Sequence, residues 1–161
     1  MSAEELQWLY TTAMGMGTIV EVGSWRGRST HALLSGTDGH VYAVDTWKGS
    51  VNETGGAHSD ALKHNILAQF VNNLAGFKNL SVINLESIRA ARCFDEKSID
   101  MVFIDGCHLK EAVIEDLKAW MPVCKKLLCG HDFEMPEVKI ALGTLEIEVE
   151  NPVGRIWAKH L

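Results

Sequence analysis

The sequence predicts an α/β fold: a mostly parallel, doubly wound, seven-stranded sheet whose last two strands form an antiparallel hairpin. Several short apolar runs alternate with stretches of helical spacing, as β-α-β units require. Towards the end, two alternating segments flank Asn151-Pro-Val-Gly154, a hairpin signature. Acids stand at the ends of the apolar runs, namely Glu21, Asp45, Glu86, Asp105 and Asp132. In open α/β sheets ligands bind beyond those strand ends. Capping or solvation explains any one such acid, but explains five poorly.

Taken in order, Leu6, Leu9, Tyr10 and Ala13 suit an N-terminal helix that stops at Gly15-Met-Gly17. Strand Thr18–Val22, the turn Gly23-Ser-Trp-Arg-Gly27, a helix to about Leu34 and strand His40–Val44 make the first β-α-β unit. Residues Thr46 to Ala57 carry glycines and no periodicity, which predicts a loop. A helix with Leu62, Ile66, Leu67, Phe70, Val71 and Leu74 on one face follows, with Gly76 fitting the position past its end. Next come strand Leu80–Leu85, a short helix near Ile88–Cys93 and strand Ile99–Ile104. A helix over about Leu109–Met121 and strand Lys125–Gly130 complete the parallel part. Pro136–Leu142 reads as a last short helix, and Leu145–Val149 and Arg155–Ala158 as the hairpin strands.

Composition bounds the function. At 161 residues, 47% hydrophobic and 22% charged, residues 1–161 fit one domain with a substantial core. Net charge is −6 and Lys125-Lys126 is the only adjacent basic pair, which argues against nucleic acid as partner. No apolar run reaches about 18 residues and the start, Met1-Ser-Ala-Glu-Glu5, is acidic, so the expectation is a soluble, cytoplasmic protein without a membrane partner. Cys93, Cys107, Cys124 and Cys129 lack metal-binding or redox spacing and read as reduced thiols, Cys107 being the one beside a candidate site.

That site arises because Ile99–Ile104 runs into Asp105-Gly-Cys-His108 and Leu127–Gly130 runs into His131-Asp132. If the two strands are parallel neighbours, about 4.8 Å apart, the four ionisable groups converge. On the cofactor side, the Gly23–Gly27 turn lets a ligand approach the backbone, and Asp45 suits a ribose. Glu21 just ahead of the turn favours a cationic group over a pyrophosphate.

Glu21-Val-Gly-Ser-Trp-Arg-Gly27 resembles the first motif of the class I S-adenosylmethionine-dependent methyltransferases. Val44-Asp-Thr-Trp47, Phe103-Ile-Asp-Gly-Cys-His108 and Gly130-His-Asp-Phe133 are similar to the small-molecule O-methyltransferase group that includes the macrocin-type and cephalosporin hydroxylase-like sequences. The resemblance runs from about Thr18 to Lys159 and implies the Rossmann-like methyltransferase fold. It implies S-adenosylmethionine held by Glu21, Gly23, Ser24, Gly27, Asp45 and Thr46, with Glu86 and Ser87 facing adenine, Trp47 against adenine or substrate, and Asp105 also at the cofactor.

For the chemistry, the resemblance implies methyl transfer to a hydroxyl of a sugar-like or natural-product-like small molecule, with His108 and Asp105 catalytic. His108, at the start of a helix, would be kept neutral by the helix dipole, although nearby carboxylates oppose this. Asp105, His131 and Asp132 fall where metal-dependent relatives hold a cation. Two carboxylates alone would suit Mg²⁺, whereas a histidine ligand shifts the choice towards Mn²⁺, Fe²⁺ or Zn²⁺. Against the metal pattern, Cys107 stands where many relatives carry an acid, and Phe133 follows Asp132.

Two other readings stay open at this level: a nicotinamide-dependent oxidoreductase and a non-catalytic nucleoside-binding module. Few residues remain outside the core to cap a substrate. Selectivity would then come from Thr46–Ala57, the stretch after Asp132, or a second subunit of a homo-oligomer.

Overall fold

The computed structural model describes residues 1–50 and 56–161. Helix α1 (Ala3–Ala13) opens on a capping box in which Ser2 accepts from the Glu5 N–H and Glu5 accepts from the Ser2 N–H. Strand β1 (Thr18–Val22), helix α2 (Arg28–Gly36) and β2 (His40–Asp45) follow, then α3 (Ala57–Lys63), α4 (Ile66–Asn73) and β3 (Leu80–Asn84). The rest of the chain forms α5 (Ser87–Ala91), β4 (Ile99–Ile104), α6 (Lys110–Trp120), β5 (Cys124–Gly130), α7 (Pro136–Thr144), β6 (Glu150–Val153) and β7 (Ile156–His160).

The seven strands form one sheet in the order β3-β2-β1-β4-β5-β7-β6. Strands β1 to β5 pair in parallel, and β7 runs antiparallel to both β5 and β6. Alternate residues of each inner strand enter opposite cores, because strand side chains point in turn to either face. Ile19, Met101, Phe103 and Leu127 pack with α1, α2 and α4, whereas Val20, Val102, Ile104 and Leu128 pack with α5, α6 and α7. Helices on both faces explain why these strands read as unbroken apolar runs rather than alternating ones.

The structure departs from the sequence expectations in three places. The helix expected through Leu62–Leu74 is broken at His64-Asn65, where the Asn65 side chain accepts from the Ala68 N–H and starts α4 afresh. Ile66, Phe70 and Leu74 are buried as expected, but Leu62 and Val71 are exposed. Gly76 lies beyond the Leu74 cap without a positive φ.

Secondly, Leu145–Val149 is not a strand. Its first residues finish α7 in a Schellman turn, with Glu146 N donating to Gly143 O and Ile147 N to Leu142 O, and Glu146 left-handed at φ 53°. Ile147 buries against the same core as Leu142, so apolar alternation there reports helix termination, and β6 begins only at Glu150. Thirdly, helix α3 already begins at Ala57, the last residue of the expected loop, and residues 51–55 lie outside the described residues.

Close helix packing depends on Gly36, where a Cβ would meet the Tyr10 carbonyl oxygen at 2.1 Å, whereas at Gly76 it would meet nothing within 4 Å. Gly36→Ala should cost about 3 kcal/mol in a urea titration through the forced shift of α1 against α2, and Gly76→Ala should stay within about 0.5 kcal/mol of the parent. Equal effects would contradict this packing.

Candidate active site

Strands β4 and β5 are direct neighbours, with Ile104 opposite Gly130. The hydrogen-bond ladder continues one residue past the strand ends: Gly23 N donates to Val44 O (2.9 Å), Asp105 N to Val22 O (2.8 Å) and His131 N to Ile104 O (3.0 Å). Gly23, Asp105 and His131 are thereby fixed by backbone before any side chain acts. Two glycines permit this. A Cβ at Gly23, which has φ +89°, would lie 2.2 Å from the Asp105 carbonyl oxygen, and one at Gly130 would lie 2.4 Å from the Trp157 ring.

The four ionisable groups of the two strand ends come together. His108 Nε2 lies 2.7 Å from Asp132 Oδ2 and 3.8 Å from Asp105 Oδ1. His131 Nδ1 lies 3.2 Å from Asp132 Oδ2 and 3.6 Å from Asp105 Oδ1. One ligand atom each from Asp105, His131 and Asp132 falls within a mutual span of 4.8 Å, which fits a single divalent cation, and His131 makes the donor set mixed nitrogen and oxygen. Asp132 presents its carboxylate from a left-handed backbone, φ 54°, a conformation that Asp tolerates better than most residues.

Charge is balanced within the cluster. Burial disfavours the His131 imidazolium, but Asp105 and Asp132 override it and push the group up to about 10. Burial likewise opposes ionisation of Asp132, yet His108 and His131 hold it far below the usual carboxylate range. His108 sits ahead of the α6 cap, Leu109, rather than in the first helical turn. Asp132 and Asp105 place their carboxylates beside it.

Beside the cluster opens a cleft of about 460 Å³ above the C-terminal ends of β1 to β4. Gly23, Asp45, Thr46, Glu86, Ser87, Asp105 and His108 line it. Asp45 has a second task. Its Oδ2 accepts from Trp25 N (2.8 Å) and its Oδ1 from Trp47 N (2.7 Å), holding two tryptophans whose φ values are 45° and 54°.

Four residues expected at the cofactor do not line the cleft. Trp47 is buried against Phe70 with its Nε1 donating to Trp25 O, so it is a clamp on the turn and not a ligand-facing ring. Gly27 is the left-handed cap residue of α2 and packs on Leu74, and Ser24 is buried under the turn. Glu21 is completely buried and accepts from the Thr30 hydroxyl, because its place in β1 points it at α2. Its Oε1 has no hydrogen-bond partner among the described residues.

Three residues at or near the site were not singled out by sequence reading. Glu5 Oε2 lies 3.3 Å from His131 Nε2, off the line of a hydrogen bond, and Glu5 Oε1 accepts from Arg155 N. Arg155 Nη1 contacts Asp132 Oδ1 at 3.0 Å. A capping-box glutamate is locally explained, so nothing in the sequence joins it to His131. Asp116 lines the cleft from α6, and here a signal existed: it falls on the apolar stripe Val113, Leu117, Trp120.

This strand order, with an antiparallel β7 and a cleft over the β1 turn, defines the class I S-adenosylmethionine-dependent methyltransferase fold. A family described as "Methyltransferase domain" matches residues 20–133, well over half of the chain, and the protein belongs to it. That membership decides against the nicotinamide reading. A curated relative, "Uncharacterized protein y4gI" of Sinorhizobium fredii, is 26% identical over 126 residues, covering 74% of this chain and 13% of the relative. The chain thus spans about an eighth of that protein's length.

Among solved structures, a SAM-dependent O-methyltransferase from Thermotoga maritima superposes with TM-score 0.71 at 13% identity, covering 99% of this chain and 65% of the other. Aeropyrum pernix fibrillarin with bound S-adenosyl-L-methionine gives 0.65 at 10% identity, covering 98% and 74%. CalS11, a TDP-rhamnose 3'-O-methyltransferase of calicheamicin biosynthesis, gives 0.61 at 15% identity, covering 98% and 77%. Likeness at these identities concerns the fold.

Among the described residues no helix is long and apolar enough to cross a membrane.

Burial pushes Glu21 up from 4.5 to about 7, against the pull of the Ser29, Thr30 and Ser24 hydroxyls. The folded chain therefore keeps a proton that the unfolded chain releases, and stability should fall as pH rises from 4.5 to 7. The loss attributable to this group is about 3 kcal/mol. Denaturant titrations of Glu21→Gln between pH 4.5 and 8 should lack that component, and a slope identical to the parent's would contradict the buried-acid assignment.

Proposed function

We propose that the protein transfers a methyl group from S-adenosylmethionine to a hydroxyl of a small molecule, sugar-like or natural-product-like, with a divalent cation assisting. The reading is carried by one observation: Gly23 and Asp45 on one side, and Asp105 and His108 on the other, line the same cleft. Methyl transfer forms an oxygen–carbon bond to the acceptor as the sulfur–carbon bond breaks, so the protein must align the two and take one proton. His108 is the base, 2.7 Å from the Asp132 carboxylate that stabilises its protonated form. Asp105 lies between the Gly23 turn and the His108–His131 pair, and orients the acceptor hydroxyl.

A cation at Asp105, His131 and Asp132 would lower the acceptor's pKa. The histidine favours Mn²⁺ over Mg²⁺ there, and Glu5 behind His131 Nε2 suits the carboxylate that commonly orients a metal-binding imidazole. The negative net charge supports a small-molecule partner rather than nucleic acid, and a cytoplasmic setting fits the reduced cysteines. A homo-oligomer in which a second subunit covers the acceptor side is part of the proposal.

S-adenosylhomocysteine should raise the melting temperature and NAD should not; at about 100-fold over Kd the stabilisation would be about 2.7 kcal/mol. His108→Ala should bind S-adenosylhomocysteine as the parent does while losing at least about a hundredfold in turnover across hydroxyl acceptors. Unchanged turnover would remove His108 from the chemistry.

Because His131 holds a proton up to about 10 in the absence of a cation, a metal ligating it must displace that proton. Mn²⁺ binding, followed by its electron paramagnetic resonance signal, should therefore tighten between pH 7 and 9, and the pH dependence should vanish in His131→Ala. Binding that is pH-independent in the parent would place the ion elsewhere.

A further inference from the structure

The acid-histidine cluster holds a positive group of its own that the proposed reaction does not use. Arg155 Nη1 donates to Asp132 Oδ1 at 3.0 Å and also to Glu134 Oε1 at 3.1 Å. The two acids differ in setting, since the Asp132 side chain is 11% exposed and that of Glu134 is 50% exposed. One guanidinium nitrogen is thus shared between an inner and an outer carboxylate.

The backbone of Arg155 depends on neither acid. Its N–H donates to Glu5 Oε1 at 2.8 Å and its carbonyl accepts from Phe133 N at 2.9 Å, which anchors the main chain on both sides of the side chain. Gly154 lets Glu5 come this close, for its φ is 51° and a Cβ there would lie 2.5 Å from Glu5 Oε1. The hairpin turn therefore stays in place whichever acid the guanidinium takes. A half-exposed arginine trades one such ion pair for another at little cost.

Asp132 is also one of the three residues whose ligand atoms could close on a single cation, with Asp105 and His131. Its Oδ2 faces His108 at 2.7 Å and His131 Nδ1 at 3.2 Å, while Oδ1 is the oxygen that Arg155 takes. A cation entering the cluster meets a guanidinium on the same carboxylate. Two positive charges a few ångströms apart repel, and the carboxylate charge that holds one is partly cancelled for the other.

We infer that Arg155 regulates the cation site: it neutralises Asp132 while no ion is bound, competes with an incoming divalent ion, and passes to Glu134 when the ion binds. This rests on the reading of Asp105, His131 and Asp132 as the cation site of the proposed methyltransferase. Glu134 ligates nothing in this scheme. It receives the displaced arginine.

Mn²⁺ titrations followed by electron paramagnetic resonance, on protein free of added metal and at one fixed pH, test this through opposite signs. Arg155→Gln removes the charge and keeps both main-chain anchors, so it should bind Mn²⁺ at least about tenfold more tightly than the parent. Arg155→Lys restores a positive charge and should bind less tightly than Arg155→Gln; equal affinities overturn the inference. Glu134→Gln leaves the guanidinium to Asp132 alone and should weaken binding by about threefold or more. An arginine that only braced Asp132 would loosen the site on removal. Unchanged or weaker Mn²⁺ affinity in a folded Arg155→Gln therefore overturns the inference and leaves the cation site standing. Should that variant not fold, Glu134→Gln decides, and binding as tight as the parent's or tighter overturns the inference. If neither the parent nor Arg155→Gln binds Mn²⁺, the inference falls together with metal assistance, while S-adenosylhomocysteine binding by the same samples reports separately on the methyltransferase reading.

Discussion

The site depends on the contact between the Gly23 backbone and the Asp105 carbonyl. Parallel pairing of β1 with β4 brings Val22 opposite Ile104, and the ladder then extends to an Asp105 N–H bond on the Val22 carbonyl. No side chain fits between the two turns, since a Cβ at Gly23 would come within 2.2 Å of that carbonyl oxygen. The Gly23 turn and the strand end that bears the Asp105 carboxylate are therefore held at fixed separation by backbone alone. Everything polar in the cleft is arranged around that pair.

Around this frame the charges are tied to elements distant in sequence. Glu5 from α1 and Arg155 from the β6–β7 turn both reach the His131-Asp132 pair, and Glu5 also accepts from the Arg155 N–H. The antiparallel hairpin thus supplies a cation to Asp132, and α1 supplies an anion to His131. Within such a network each ion is compensated, which keeps the buried groups ionised in a region where an unpaired charge would be expelled or neutralised. The hydroxyl-lined Glu21 is the contrast: burial outweighs the Ser29, Thr30 and Ser24 hydroxyls, the Asp105 charge adds to the rise, and the group is driven towards its neutral form.

Much of the fold was legible because strands buried on both faces leave long apolar runs and their ends collect polar residues. The convergence of Asp105, His108, His131 and Asp132 followed from a strand-helix-strand reading alone. What escaped had local explanations that masked tertiary roles. Glu5 satisfied a capping box, Leu145–Val149 alternated although a left-handed Glu146 ends a helix there, and Trp47 read as a ring against adenine or substrate although its indole N–H ties down Trp25. Glu21 matched a cofactor motif, yet strand alternation turns it towards α2 and away from the cleft. Asp116 alone carried a readable anomaly, an acid on an apolar helical stripe.

The central claim is that the acid-histidine cluster is the acceptor side of a methyl-transfer cleft. A crystal structure with S-adenosylhomocysteine tests it most directly. The account predicts the ribose at Asp45, the homocysteine sulfur facing Asp105 and His108, and the base beside Ser87. A ligand lying in the reverse direction, or with its sulfur remote from His108, would contradict it.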